Sequence, residues 1–233
     1  MFARPEPRRG RRLSLAATVH CPQGPLLVYS CHLEVFCGLL SRVQQVADIM
    51  RDSKEQIIQG QQQIAFLGDL NTMAHGIARL SPRFCRDFMR WRSLGQSEGA
   101  WFEHNVLAEQ DPRFTAVSSP SASSRMAGAA SASNQSDSTA AAEPTNKSLA
   151  YWGLPQQVCV DALNPGFQDP WQASNPDHAT LDNPAWRWFG WSLMKGKLDW
   201  VLLRAMTVLD KQLGNHDYSA SDHKLLFVDV KWA

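Results

Sequence analysis

Cysteine is scarce: five in 233 residues, at positions 21, 31, 37, 85 and 159, with no C-x-x-C pair. An odd number without paired spacing suits neither a disulfide framework nor a structural zinc site. The five read as reduced, mostly buried thiols of an intracellular protein. An excess of either charge is also lacking, because 23 Lys and Arg face 22 Asp and Glu for a net charge of +1. That balance excludes a polycationic nucleic-acid coat and an acidic tail protein, though not a local basic groove. No apolar run approaches the ~18 residues that span a bilayer, so no transmembrane segment is expected. Residues 118–148 contain no Phe, Trp, Ile or Val. Such a stretch cannot bury enough surface to offset the entropy of ordering, and it reads as a disordered insertion.

What remains is roughly 200 residues, enough for the core of one medium domain over residues 13–117 and 149–233. Residues 1–12 carry Arg4, Arg8, Arg9, Arg11 and Arg12 against the single acid Glu6. They read as a basic, unstructured start, with an organelle transit peptide as the alternative. Leu13 to Val19 and Pro25 to Cys31 are short apolar runs separated by a turn, which predicts a hairpin. Leu26 to Tyr29 is continuously apolar, as in a strand covered on both faces. Leu39, Val43, Val46 and Met50 recur at helical spacing, with Gly60 as a stop, and Arg42, Gln44, Gln45, Asp48 and Arg51 lie largely elsewhere on the helix. Ile64 to Leu67 reads as the next buried strand. Ser81-Pro82 opens a further helix carrying Phe84, Phe88 and Trp91. Residues 161–192 read as a long ordered loop region, and Leu198 to Leu203 and Leu225 to Val230 as two closing strands. Helices interspersed with strands give an α/β or α+β class.

Four polar clusters sit in or at the ends of these strands. They are Tyr29-Ser30-Cys31-His32, Gly68-Asp69-Leu70-Asn71, Lys197-Leu198-Asp199-Trp200 and Ser221-Asp222-His223. A lone carboxylate in a buried strand is costly unless paired, so Asp199 requires a partner. Two histidines, three aspartates and an asparagine suit oxygen ligation of a hard cation and proton transfer near a phosphate.

In order and strand context, H-L, G-D-x-N, a strand with an internal Asp and S-D-H resemble the endonuclease/exonuclease/phosphatase superfamily. The resemblance runs from about Leu13 to Trp232, interrupted by the insertion. It implies a deoxyribonuclease-like four-layer α-β-β-α sandwich and a magnesium-dependent phosphoesterase, with manganese as an alternative cation. Nucleic acid, phospholipid and small phosphate esters are all implied substrates. By the same resemblance, Asp69 orients or deprotonates the attacking water and Asn71 bonds the phosphoryl oxygens. His223 transfers a proton or stabilises the transition state, held by Asp199. Asp222 ligates or approaches the metal, and His32 contacts the phosphate or assists the leaving group.

The sequence departs from the family at its start. Members open with an asparagine-bearing strand of the W-N type and a later L-Q-E glutamate, and nothing upstream of Leu13 supplies either. Glu6 and Glu34 lack the motif context, and Glu34 reads as a loop charge. The expectation is an N-terminally incomplete sandwich, a truncated form with little magnesium-dependent cleavage of its own. The alternative is a non-catalytic remnant that binds phosphate-containing ligands or protein partners. Trp186, Trp188, Phe189 and Trp191, with Arg187, Lys195 and Lys197 nearby, read as rings packed under a long loop; base stacking or a lipid interface is the alternative.

Overall fold

The computed structural model describes residues 12–35, 37–73, 96–115, 143–192 and 195–233. The basic start up to residue 11, the helix expected from Ser81 and most of the Ser/Ala-rich stretch lie outside them. The end of that stretch does not: Asn146 is buried and caps a short helix, its side chain accepting from Leu149 N.

Strands β1 (Ser14–Cys21) and β2 (Gly24–His32) form the expected hairpin around Pro22 and Gln23. A 20-residue helix, α1 (Leu39–Ile58), then returns the chain so that β3 (Ile64–Asp69) lies parallel to β2. Helices α2 (Gln96–Phe102), continued by a π-helical turn to Leu107, α3 (Pro112–Thr115), α4 (Lys147–Tyr151) and α5 (Gln156–Asp161) follow. A two-residue ladder, β4 (Arg187–Trp188) with β5 (Trp191–Ser192), precedes β6 (Asp199–Arg204), which pairs antiparallel to β3. Strands β7 (Met206–Gly214) and β8 (Leu225–Trp232) form a second, two-stranded sheet. The main sheet has the order β1-β2-β3-β6.

Continuous apolar runs become strands buried on both faces because alternate side chains point to opposite sides of a pleated strand. Leu27, Tyr29, Ile64, Phe66, Trp200 and Leu202 face α1, whose Val43, Val46 and Met50 are fully buried. Leu26, Val28, Ala65, Leu67, Val201 and Leu203 face the β7–β8 hairpin, meeting Met206, Leu226, Val228 and Trp232. The described residues thus form three layers, helices, main sheet and hairpin. The four layers expected are not seen among them: Leu209, Leu225 and Phe227 stand exposed on the hairpin.

Polar residues also enter the core, against the sequence reading of α1. Arg42 is buried, donating from Nε to Glu34 O and from Nη2 to Val35 O and Cys37 O. Gln45 Oε1 accepts from Glu34 N, and Glu34 is itself buried rather than a solvated loop charge. These bonds hold the loop that follows His32. Further along α1, the Lys54 ammonium lies 3.1 Å from Asp111 Oδ2 and donates to the carbonyls of Val160 and Asp161. It ties α5 and the segment before α3 to the helix. Cys31, Cys37 and Cys159 are free and buried, and Cys21 is half-buried.

Candidate active site

Three of the polar clusters meet because of strand register. His32 ends β2 and pairs with Asp69 at the end of β3, while Asp69 pairs with Asp199 at the start of β6. Residues two apart share a face, so Asp69 follows Leu67, and Asp199 precedes Val201, on the side that faces the hairpin. The connection between β7 and β8 folds back over the same edge and brings His223 to Asp199, with Nδ1 2.8 Å from Oδ2. That contact is the partner the burial of Asp199 requires. His32 Nε2 lies 3.4 Å from Asp69 Oδ2.

Each side chain is held locally. Asp69 Oδ1 accepts from Asn71 N at 2.8 Å, a turn in which Asn71 takes φ 47°. Asn71 is only 4% exposed, and its Nδ2 donates to Leu33 O at 3.0 Å. Asp199 N and Leu198 N both donate to Thr180 Oγ1, and Thr180 O accepts from Lys224 N. One buried threonine therefore joins the strand of Asp199 to the loop of His223. Asn215, at φ 56°, donates from Nδ2 to Ser221 O and His223 O and accepts at Oδ1 from Ala220 N. Lys197 is not a surface cation beside the aromatic loop. It is buried against Asp169, with Nζ 3.7 Å from the Trp200 ring centroid. Trp200 Nε1 donates to Thr72 Oγ1, which in turn donates to Lys197 O. Burial pushes Asp169 up to about 6 and Lys197 down to about 8, each opposed by its partner.

Asp69, Asp199 and His223 are the one group of potential metal ligands among the described residues, with donor atoms within 4.8 Å of one another. Asp222 is exposed and outside this group. His32 is open to solvent, with 57% of its side chain exposed. Phe189 is not packed under a loop: it is 86% exposed at the tip between β4 and β5, with φ 47°. Arg187 and Lys195 both face Asp182.

The electrostatics follow from two carboxylates side by side. Burial first, and then the charge of Asp199, hold Asp69 above the usual carboxylate range. The hydrogen bond to Asp199 raises His223 from 6.5 to about 9 against the opposing effect of burial. At neutral pH, then, His223 is an imidazolium whose Nδ1–H donates to Asp199. Adjacent anionic oxygens that repel each other fit a hard divalent cation, the chemistry of magnesium or manganese.

The His223 shift predicts a pH dependence. Because its folded pKa lies above its unfolded one, the contribution to stability is complete below about pH 6.5 and vanishes as pH rises through about 9. Chelator-treated wild type is expected to exceed His223→Gln by on the order of 3 kcal/mol at pH 6, falling toward zero near pH 10. Urea unfolding across that range measures it; a constant difference would contradict the pairing.

The chain matches no protein-family model and no curated protein. It is similar in structure to an endonuclease/exonuclease/phosphatase protein from Beutenbergia cavernae, with 15% identity and a TM-score of 0.45 over 96% of this chain and 40% of that one. It is also similar to the human Nocturnin catalytic domain, solved with a bound sulfate, with 14% identity and a TM-score of 0.43 over 96% of this chain and 54% of that one. The chain thus spans about half, or less, of the length of either structure. Among the described residues, no helix is long and apolar enough to cross a membrane.

Proposed function

We propose that the chain carries the site of a metal-dependent phosphoesterase of the endonuclease/exonuclease/phosphatase type, acting on a phosphodiester or phosphomonoester. The observation that carries this reading is the Asp199–His223 hydrogen bond beside Asp69 in register. Asp69 and Asp199, with Asp222 as the loop ligand the family pattern implies, are the candidates to hold magnesium, which would supply charge neutralisation at the phosphoryl oxygens. Asp69 accepts a proton from, or orients, the attacking water. His223, fixed in orientation by Asp199, offers Nε2 as a positive donor to the phosphate or the departing oxygen. His32 and the Asn71 amide are assigned to the phosphoryl oxygens. The four-layer sandwich belongs to the same proposal: Leu209, Leu225 and Phe227 are the apolar positions a fourth layer would cover.

A second reading, a non-catalytic binder of phosphate groups, draws on Asn71, whose amide is buried and already bonded to Leu33 O. Hydrolysis of bis(p-nitrophenyl) phosphate and p-nitrophenyl phosphate separates the two. The phosphoesterase reading predicts slow turnover with Mg2+, none in chelator, and a loss of about 10²–10⁴-fold of that rate in Asp69→Asn. Phosphate binding without turnover supports the second reading, and turnover indifferent to cation and to Asp69 contradicts the first.

A further inference from the structure

At the other end of β6, five residues and roughly 16 Å from Asp199 at the usual rise per strand residue, Arg204 is 7% exposed. Its Nε donates to Pro165 O at 2.8 Å, and Nη1 donates to Gln62 O and Gln62 Oε1 at 2.8 and 3.0 Å. These acceptors satisfy three N–H groups but carry no charge. Among the described residues Nη2 has no partner, and no carboxylate is paired with the guanidinium. Nη2 is not among the buried atoms that lack a partner, so solvent reaches it, and an anion that displaces that water gains a charge-assisted hydrogen bond.

Arg204 lines a cavity of about 780 Å³ with Gln63, Gln168 and Thr207 among its walls. That volume is in the range of small-ligand sites. The side-chain amides of Gln63 and Gln168 make no hydrogen bond among the described residues. Arg42 also donates to three carbonyls and leaves Nη1 without a partner, but that nitrogen is buried, and Arg42 is not among the residues lining this cavity; it works as a clamp on the loop after His32.

We propose that this cavity binds a singly charged oxyanion, anchored on Arg204 Nη2 with Gln63 and Gln168 as neutral donors. One positive charge with uncharged amides matches one negative charge, as carried by a carboxylate or a phosphodiester. The site stands apart from Asp69, Asp199 and His223 and does not rest on the phosphoesterase reading.

The test is side-chain NMR of the full chain with ¹⁵N-labelled Arg and Gln, titrated separately with acetate and with dimethyl phosphate. Saturable shifts at Arg204, Gln63 and Gln168 with either probe support the site and identify its anion. The same shifts are expected in Asp199→Asn. Gln168→Glu, on an exposed wall, is expected to weaken binding about tenfold or more by like-charge repulsion, and Arg204→Gln to abolish it. Should Arg204→Gln fail to fold, Gln168→Glu decides. Non-saturating shifts with both probes, unchanged affinity in Gln168→Glu, or loss of the shifts in Asp199→Asn would overturn the proposal.

Discussion

Replacing His223 with alanine is expected to remove about 10³-fold of whatever magnesium-dependent phosphodiester hydrolysis the chain supports, the middle of the range for a positioned proton donor. The loss should fall on kcat more than on KM, because the imidazolium is matched to charge that builds as the ester bond breaks. Asp199→Asn should cost a comparable factor by a different route. It removes the carboxylate that fixes the ring and returns His223 from about 9 toward its ordinary 6.5. Because the two residues act as one unit at 2.8 Å, the double variant should be little worse than either single one. Steady-state rates on bis(p-nitrophenyl) phosphate measure this. Strictly multiplicative losses would mean that the two side chains do not cooperate.

Gly68→Ala is expected to prevent stable folding. A Cβ at Gly68 would stand 1.9 Å from Cys31 O and 2.9 Å from its carbonyl carbon, and the backbone holds φ +138°. The obstacle is main chain, not a side chain that can rotate aside. Cys31 and Gly68 are register partners of two neighbouring strands in the sheet, one position before His32 and Asp69. Relief requires β2 and β3 to separate where the candidate site is built. The expected destabilisation is about 4 kcal/mol or more, at the extreme of single substitutions. Thermal unfolding followed by circular dichroism should show a lost or broadened transition; a midpoint within a few degrees of wild type would contradict the contact. The first residue of the G-D-L-N motif is thus required by strand packing, as the aspartate is by chemistry.

The strand order and the site differ in how far they could be read from sequence. Continuous apolar runs at Leu26 to Tyr29, Ile64 to Leu67 and Leu198 to Leu203 announce strands covered on both faces, and they form three of the four strands of the main sheet. The α1 face was legible from its spacing, yet Arg42 and Gln45 enter the core because bonds to the 34–37 loop satisfy them. Strand β7 was not legible. Its Thr207 to Gln212 positions are exposed, and a register irregularity between Val208 and Asp210 breaks the alternation. At the site, the need of Asp199 for a partner followed from burial alone, whereas Thr180 and Asn215 carry no sequence signal. Each acts through bonds to backbone atoms, which leave no pattern of residue types. Register, invisible in sequence, brings His32, Asp69 and Asp199 together.

The central claim is that Asp69 and Asp199 hold a divalent cation beside His223, and Mn2+ titration followed by NMR tests it most directly. The account predicts saturable paramagnetic broadening centred on these three residues, reversed by excess Mg2+ and abolished in Asp69→Asn with the fold intact. Broadening that centres elsewhere, or that persists unchanged in Asp69→Asn, would contradict it.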